Sequence, residues 1–96
     1  MTLTENEINN KLAEMDGWSL DGKLIWKRFE CSNFMGAVDF VNRLAAEAER
    51  MNHHPEILIS KGNRVTLYLT THDAGQLTEK DFQLAGKIDT AFGAGN

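Results

Sequence analysis

The segment spanning residues 34–51 places the strongest constraint on the fold, because apolar side chains recur there at helical spacing. These apolar residues are Phe34, Ala37, Val38, Val41, Leu44, Ala45, Ala48 and Met51. Ser32 or Asn33 can cap the amino end. Pro55 disfavours helical geometry at the residue before it, so we expect the helix to end near Asn52. Such a helix is about 27 Å long, and its alanine-rich stripe favours close packing against a sheet.

A β-hairpin pattern lies on each side of this helix. The first contains Asp21-Gly22, a dipeptide that tolerates the backbone of a tight turn, and the second turns at residues 61–63. The four predicted strands are residues 18–20, 23–29, 56–60 and 64–71. In the last strand Val65, Leu67 and Leu69 alternate with outward residues, which predicts one core face and one polar face. The pattern leaves open which face of the second strand is buried.

Both ends of the chain are predicted to be helical. Thr4 and Glu7 have capping-box spacing, and the helix that begins there stops at Asp16-Gly17. Residues 78–81 open a last helix, which we expect to end at residues 93–95. The order is therefore α-β-β-α-β-β-α. Hairpins rather than crossovers join the strands, so we predict an α+β fold: a four-stranded antiparallel sheet with helices packed on one face.

Composition narrows the class of protein. With 96 residues, 42% hydrophobic and 25% charged, the chain is typical of one globular domain, and we assign residues 1–96 to it. A net charge of −4 argues against a nucleic-acid partner. The lone Cys31 fits a reducing compartment. Since no apolar run reaches the roughly 18 residues of a membrane span, we expect a cytoplasmic protein without a leader peptide or membrane partner.

All three histidines lie at predicted junctions between elements. His53 and His54 follow the long helix, and His72 follows the last strand. If these junctions meet at one edge of the sheet, the imidazoles suit paired acid-base work, because imidazole gains or loses a proton near neutral pH. Taken singly, His53 or His54 is more simply explained as a residue that complements the helix dipole or bonds a terminal carbonyl.

A metal site is the competing interpretation of the histidines, since imidazole and carboxylate ligands suit zinc or iron. The ligand spacing is poor. Adjacent His53 and His54 point in different directions in most backbone conformations, and the sequence has no His-x-x-x-His pair. We therefore expect no metal.

Two segments carry a specific pattern. Residues 49–56 read Glu-Arg-Met-Asn-His-His-Pro-Glu, and residues 71–81 read Thr-His-Asp-Ala-Gly-Gln-Leu-Thr-Glu-Lys-Asp. A glutamate precedes the first histidine by four residues, and an aspartate follows the last histidine by nine. With Gly17-Trp18 and the element order, this pattern resembles the pterin-4a-carbinolamine dehydratase family over almost the whole chain.

The resemblance implies dehydration of 4a-hydroxytetrahydropterin to quinonoid dihydropterin, which recycles the pterin after aromatic amino acid hydroxylation. It implies a small-molecule pterin substrate and no metal or organic cofactor. The candidate catalytic residues are His53, His54 and His72. His53 and His72 would form the acid-base pair at the 4a-hydroxyl and a ring nitrogen, and His54 would mainly hold the pterin.

The resemblance also implies supporting residues around the histidines. Glu49 and Asp81 would orient the imidazoles or select their tautomers, and Pro55 would fix the backbone so that the adjacent rings are presented differently. The chain departs from the family in one respect: family members often carry aromatic residues on the strand after His-His-Pro, where this chain has the aliphatic residues 57–59.

Self-association is a further implication, as a homodimer or homotetramer, and the limited core of a short chain gives association an energetic motive. A functional link to an aromatic amino acid hydroxylase is implied as well. The alternative hypothesis is a non-catalytic oligomerising module that acts as a protein-binding or transcriptional co-regulator. Under the enzyme hypothesis we expect exposed histidines at element ends, where truncation to alanine costs at most about 0.5 kcal/mol of stability.

Overall fold

A computed structural model describes residues 2–95, which form a four-stranded antiparallel sheet and three α-helices. The helices are α1 (Glu5–Ala13), α2 (Phe34–Met51) and α3 (Glu79–Gly95). The strands are β1 (Ser19–Asp21), β2 (Leu24–Glu30), β3 (Glu56–Ser60) and β4 (Arg64–Leu69). A short 3-10 turn, His72–Ala74, follows β4. The order α-β-β-α-β-β-α confirms the predicted α+β class.

The sheet has the strand order β1-β2-β4-β3, and each neighbouring pair is antiparallel. Ile25 lies opposite Leu69, and Phe29 lies opposite Val65. All of these side chains are buried, as is Leu67. Because alternate side chains of a strand share one face, Ile25 and Phe29 define the core side of β2, and the predicted inward face of β4 is confirmed.

On the opposite face of the sheet, one polar residue is buried. Thr66 points outward from β4, but only 2% of it is exposed. Its partners across the sheet are Arg28 and Leu58, whose longer side chains flank the short threonine. Leu58 itself is about half exposed.

Several predicted boundaries are wrong by a few residues. Helix α1 ends at Ala13 rather than at Asp16-Gly17, and β4 ends at Leu69 rather than at residue 71. Asp21 pairs with Leu24, so the first hairpin turns at Gly22 and Lys23, one residue later than expected. Gly22 supplies the positive φ that this tight turn needs. The last helix also continues through residues 93–95.

Helix α2 spans the predicted length and has Asn33 as its N-cap, whose side chain accepts a hydrogen bond from the Gly36 amide. Its buried face is centred on Phe40, a residue that the predicted stripe omitted. The centroid of the Phe40 ring lies 5.0 Å from that of Phe29 and 5.2 Å from that of Phe92. Phe34, which the stripe included, is 56% exposed. At 100° per residue, Phe34 lies at the edge of the stripe rather than at its centre.

The loop before β1 is tied to α3 by a charged side chain on the core side of β2. Lys27 Nζ donates to Asp89 Oδ1 and to the Asp16 carbonyl, both at 2.8 Å. Trp18 Nε1 donates to the same Asp89 carboxylate at 3.1 Å. Gly17 has a φ of +84°, and a Cβ there would lie 3.0 Å from Lys27 Cε. The Gly17-Trp18 pair is therefore explained by backbone conformation and packing.

Within residues 2–95, no helix is long and apolar enough to cross a membrane.

The packing of α2 gives a direct test of its orientation. Replacing Phe40 by alanine should lower the free energy of unfolding by about 3–5 kcal/mol, because the change opens a cavity against two aromatic rings. Phe34→Ala is the matched control on the same helix and should change it by less than about 0.5 kcal/mol. Urea unfolding followed by circular dichroism measures both, and equal losses would contradict this orientation.

Candidate active site

The end of α2 sends the two adjacent histidines into different environments. Asn52 adopts a left-handed conformation, with φ 50° and ψ 44°, which asparagine tolerates better than most residues. The amides of Asn52 and His53 donate to the Glu49 and Ala48 carbonyls, each at 3.0 Å, and close the helix. As a result His53 turns towards the core and is 9% exposed, whereas His54 faces solvent.

The buried partner of His53 is Asp81, in the first turn of α3. His53 Nε2 lies 2.7 Å from Asp81 Oδ1, and Asp81 has no exposed surface. The other carboxylate oxygen accepts from Thr71 Oγ1 at 2.7 Å and from the Thr78 amide at 2.9 Å. A carboxylate that accepts charge-assisted bonds from three donors is well satisfied in the interior.

This geometry fixes the tautomer of the neutral His53 ring. An ionised carboxylate only accepts hydrogen bonds, so with Asp81 ionised the proton between the two groups belongs to Nε2. In the neutral ring Nδ1 is then the acceptor. Within the described residues no hydrogen bond to Nδ1 is present, so this nitrogen retains its capacity to take a proton.

His72 is linked to the same carboxylate through its neighbour in the chain. The Thr71 carbonyl accepts from the amides of Ala74 and Gly75 at 3.1 and 3.0 Å, which forms the turn that begins at His72. His72 is exposed, and the part of the chain that the structure describes makes no hydrogen bond to its imidazole.

The antiparallel pairing of β3 with β4 brings these two junctions together. Glu56, at the start of β3, lies opposite Tyr68, near the end of β4. The residues just before β3 and just after β4 therefore lie at the same edge of the sheet. His53 and Thr71 meet there across the Asp81 carboxylate.

His54 pairs with Glu49 on the surface. Its Nε2 lies 2.5 Å from Glu49 Oε1, and the side chains are 57% and 77% exposed. Pro55 is half-buried behind the pair, and its peptide bond is trans. An ion pair this exposed contributes little to stability.

The expectation that all three histidines are exposed is wrong for His53. Its burial follows from the left-handed turn at Asn52 and from the carboxylate that receives its Nε2 proton. His54 and His72 are exposed, as expected. Sequence reasoning gave no role to the hydroxyl of Thr71, although the Thr-His pair was part of the recognised pattern.

Two surface depressions differ in their relation to this site. One, of about 460 Å³, borders the carboxylate network; it is lined by Thr71, Asp73, Ala74, Thr78, Glu79 and Lys80. The larger, of about 910 Å³, lies between α2 and α3 and has Arg43, Gly86 and Thr90 in its wall. Among the described residues, no histidine lines either depression. We place the candidate site at the histidines, because the site is defined by their chemistry and not by the size of a cavity.

Within residues 2–95 no group of three or more histidine, cysteine or acidic side chains is arranged to hold a metal ion.

The fold and the site define a class of small α+β domains with a buried histidine–aspartate pair beside a Thr-His turn. Residues 1–91 match the family described as pterin 4 alpha carbinolamine dehydratase. The chain therefore belongs to the pterin-4a-carbinolamine dehydratase family.

Individual relatives agree with this membership. A protein of a Picosynechococcus species, provisionally named a pterin-4-alpha-carbinolamine dehydratase, is 52% identical over 91% of this chain and 94% of its own length. A protein of Sulfurisphaera tokodaii with the same provisional name is 49% identical over 91% of this chain and 92% of its own.

Solved structures extend the comparison. The crystal structure of a transcriptional coactivator/pterin dehydratase from Brucella melitensis is 36% identical, with a TM-score of 0.89 over 95% of this chain and 98% of that one. A pterin dehydratase-like protein identified as a RuBisCO assembly factor in the alpha-carboxysome is 26% identical, with a TM-score of 0.67 over 80% of this chain and 90% of its own.

The burial of His53 predicts a stability effect that its exposed neighbour lacks. Replacing His53 by alanine should lower the free energy of unfolding by about 1–3 kcal/mol, because Asp81 loses a donor in the interior. His54→Ala removes only a surface pair and should change it by less than about 0.5 kcal/mol. Urea unfolding at neutral pH compares them. If both variants match the parent, the buried pair is not formed in solution.

Proposed function

We propose that the protein dehydrates 4a-hydroxytetrahydropterin to quinonoid dihydropterin. The observation that carries the proposal is the buried His53–Asp81 pair, held by hydrogen bonds beside the turn that presents His72. One imidazole is fixed in the interior and a second is open to solvent at the same edge of the sheet. Membership of the family supports this substrate class.

The reaction needs two proton transfers and no electron transfer. The C4a–O bond breaks, a ring N–H proton is lost, and the leaving hydroxyl takes up a proton to depart as water. The product gains a C=N bond, so atoms and electrons balance. Positioned imidazoles suit both transfers near neutral pH. We therefore propose a reaction without metal or organic cofactor.

The two imidazoles differ in ways that favour different roles. His53 Nδ1 is the acceptor of a neutral ring whose Nε2–H is held by Asp81, so His53 is suited to take the ring proton. The buried carboxylate then stabilises the imidazolium that forms. His72, exposed to solvent, can be protonated from water and give its proton to the leaving hydroxyl. His54, with its ring held by Glu49, is suited to bind the pterin.

We also propose the wider setting that the family resemblance implies. The dehydratase would act in pterin recycling, with a functional link to an aromatic amino acid hydroxylase, and as a homodimer or homotetramer.

Kinetics of three alanine variants test the assigned roles. Replacing His72 should lower kcat by about 10²–10⁴-fold, the usual worth of a positioned acid or base. His53→Ala should lower kcat by a similar factor in the fraction that remains folded. His54→Ala should raise KM more than it lowers kcat, as expected when binding is lost in both ground and transition states.

Dehydration of a synthetic carbinolamine pterin, followed by ultraviolet absorbance, measures these effects. Circular dichroism at the assay temperature confirms that each variant is folded. Near-parental activity in all three variants would refute the catalytic assignment.

Chelation tests the absence of a metal from the chemistry. Dialysis against EDTA should leave kcat and KM unchanged, because proton transfer between imidazoles and substrate needs no Lewis acid. Loss of activity that added zinc restores would instead assign the reaction to a metal-bound form.

A non-catalytic role is the second candidate, and specific observations favour it. Among the similar structures, one is described as a transcriptional coactivator/pterin dehydratase and another as a RuBisCO assembly factor. Phe34 and Met35, at the start of α2, are 56% and 62% exposed, as residues of a protein-binding surface often are. This role would be favoured if the folded protein does not raise the rate of carbinolamine dehydration above the uncatalysed rate.

A further inference from the structure

We propose that Thr71 is a positioning residue that couples the two imidazoles of the site, an inference that rests on the proposed dehydratase function. Its hydroxyl binds the carboxylate that holds His53, and its backbone carbonyl anchors the turn that begins at His72. Thr71 thus contacts the supports of both rings, and the structure shows it bonded to neither imidazole.

The donor and the acceptor of each hydrogen bond made by the Thr71 hydroxyl can be assigned. A hydroxyl has one proton to donate. The Asp81 carboxylate can only accept, so the Thr71 proton points to Oδ2, at 2.7 Å. Thr71 Oγ1 must then accept from the hydroxyl of Thr78, also at 2.7 Å. The chain runs from Thr78 through Thr71 to Asp81, and aligned bonds of this kind strengthen one another in a low-dielectric interior.

These bonds fix the rotation of the carboxylate. Asp81 Oδ1 receives the proton of His53, and Oδ2 receives those of Thr71 and the Thr78 amide. Without the Thr71 hydroxyl, Oδ2 keeps only the Thr78 amide as a donor, and the carboxylate can rotate towards that amide. The His53 ring then loses its fixed direction, and a reacting nitrogen displaced by about 1 Å can cost up to about 10²-fold in rate.

The effect should fall on the chemical step rather than on binding. The pterin-binding role is assigned to His54, whose partner Glu49 is on the surface and shares no hydrogen bond with Thr71 in the described part of the chain. Loss of the Thr71 hydroxyl should therefore lower kcat and leave KM nearly unchanged.

A set of matched variants separates positioning from general stabilisation. Thr71→Val removes the hydroxyl and keeps the shape, whereas Thr71→Ser restores the hydroxyl. Thr70→Val is the control, because the adjacent Thr70 donates its hydroxyl to the Lys23 carbonyl at 2.6 Å and not to the carboxylate. Thr71→Val loses the bonds to Asp81 and to Thr78, whereas Thr70→Val loses only the bond to the Lys23 carbonyl. Only Thr71→Val loses a bond to Asp81.

We expect Thr71→Val to lower kcat by about 10–100-fold with KM within about twofold. Thr71→Ser should recover most of the parental kcat, and Thr70→Val should keep it. Parental kcat in Thr71→Val, an equal loss in Thr71→Ser, or an equal loss in Thr70→Val would each overturn the proposal. Failure of both Thr71→Val and Thr71→Ala to fold would also overturn it, because the hydroxyl would then support the fold rather than the site.

A spectroscopic measurement keeps this test independent of the dehydratase assay. The His53 Nε2 proton is buried against Asp81, so its NMR signal should exchange slowly with water in the parent protein and faster in Thr71→Val, but not in Thr70→Val. If the parent protein shows no dehydration, the proposed function fails and this signal alone decides whether Thr71 orients His53. An unchanged exchange rate in Thr71→Val would overturn the positioning role.

Discussion

The Asp81 carboxylate is the group on which the arrangement of the site depends. A buried charge without partners costs several kcal/mol, and Asp81 has no exposed surface. Its donors come from three places in the chain: the end of α2, the end of β4 and the start of α3. The interior can hold the carboxylate only when these segments meet, so the same bonds that satisfy Asp81 bring His53 next to Thr71, the residue before His72.

The sheet makes that meeting possible. Antiparallel pairing sets the first residue of β3 beside the end of β4, so whatever precedes β3 lies next to whatever follows β4. Helix α2 has to end shortly before β3 begins, and the left-handed backbone conformation of Asn52 redirects the chain at the end of the helix. The aromatic contacts of Phe40 with Phe29 and Phe92 hold α2 against the sheet and α3. The position of the first histidine is therefore a consequence of core packing.

Much of this architecture could be predicted from local patterns. Helical spacing, turn residues and capping signals established the element order, and the two hairpins implied that the histidine junctions could share an edge of the sheet. The burial of His53 could not be predicted in the same way, because a polar residue after a helix has the same local pattern whether it faces water or a carboxylate 28 residues away. The exposure of Phe34 and the burial of Phe40 likewise depend on the rotation of α2 against the sheet, which apolar spacing alone leaves uncertain by part of a turn.

Burial changes how the histidines can be interpreted. At His53 a structural role and a catalytic role are compatible, because its bond to Asp81 both satisfies a buried charge and orients the ring. Loss of activity in a His53 variant therefore has two causes that act together. His72 is exposed and its imidazole is unbonded within residues 2–95, so its removal should have little effect on the fold. A loss of activity in a His72 variant would therefore test the proposed acid-base role without a loss of stability, and the buried pair explains how the other ring is held in place.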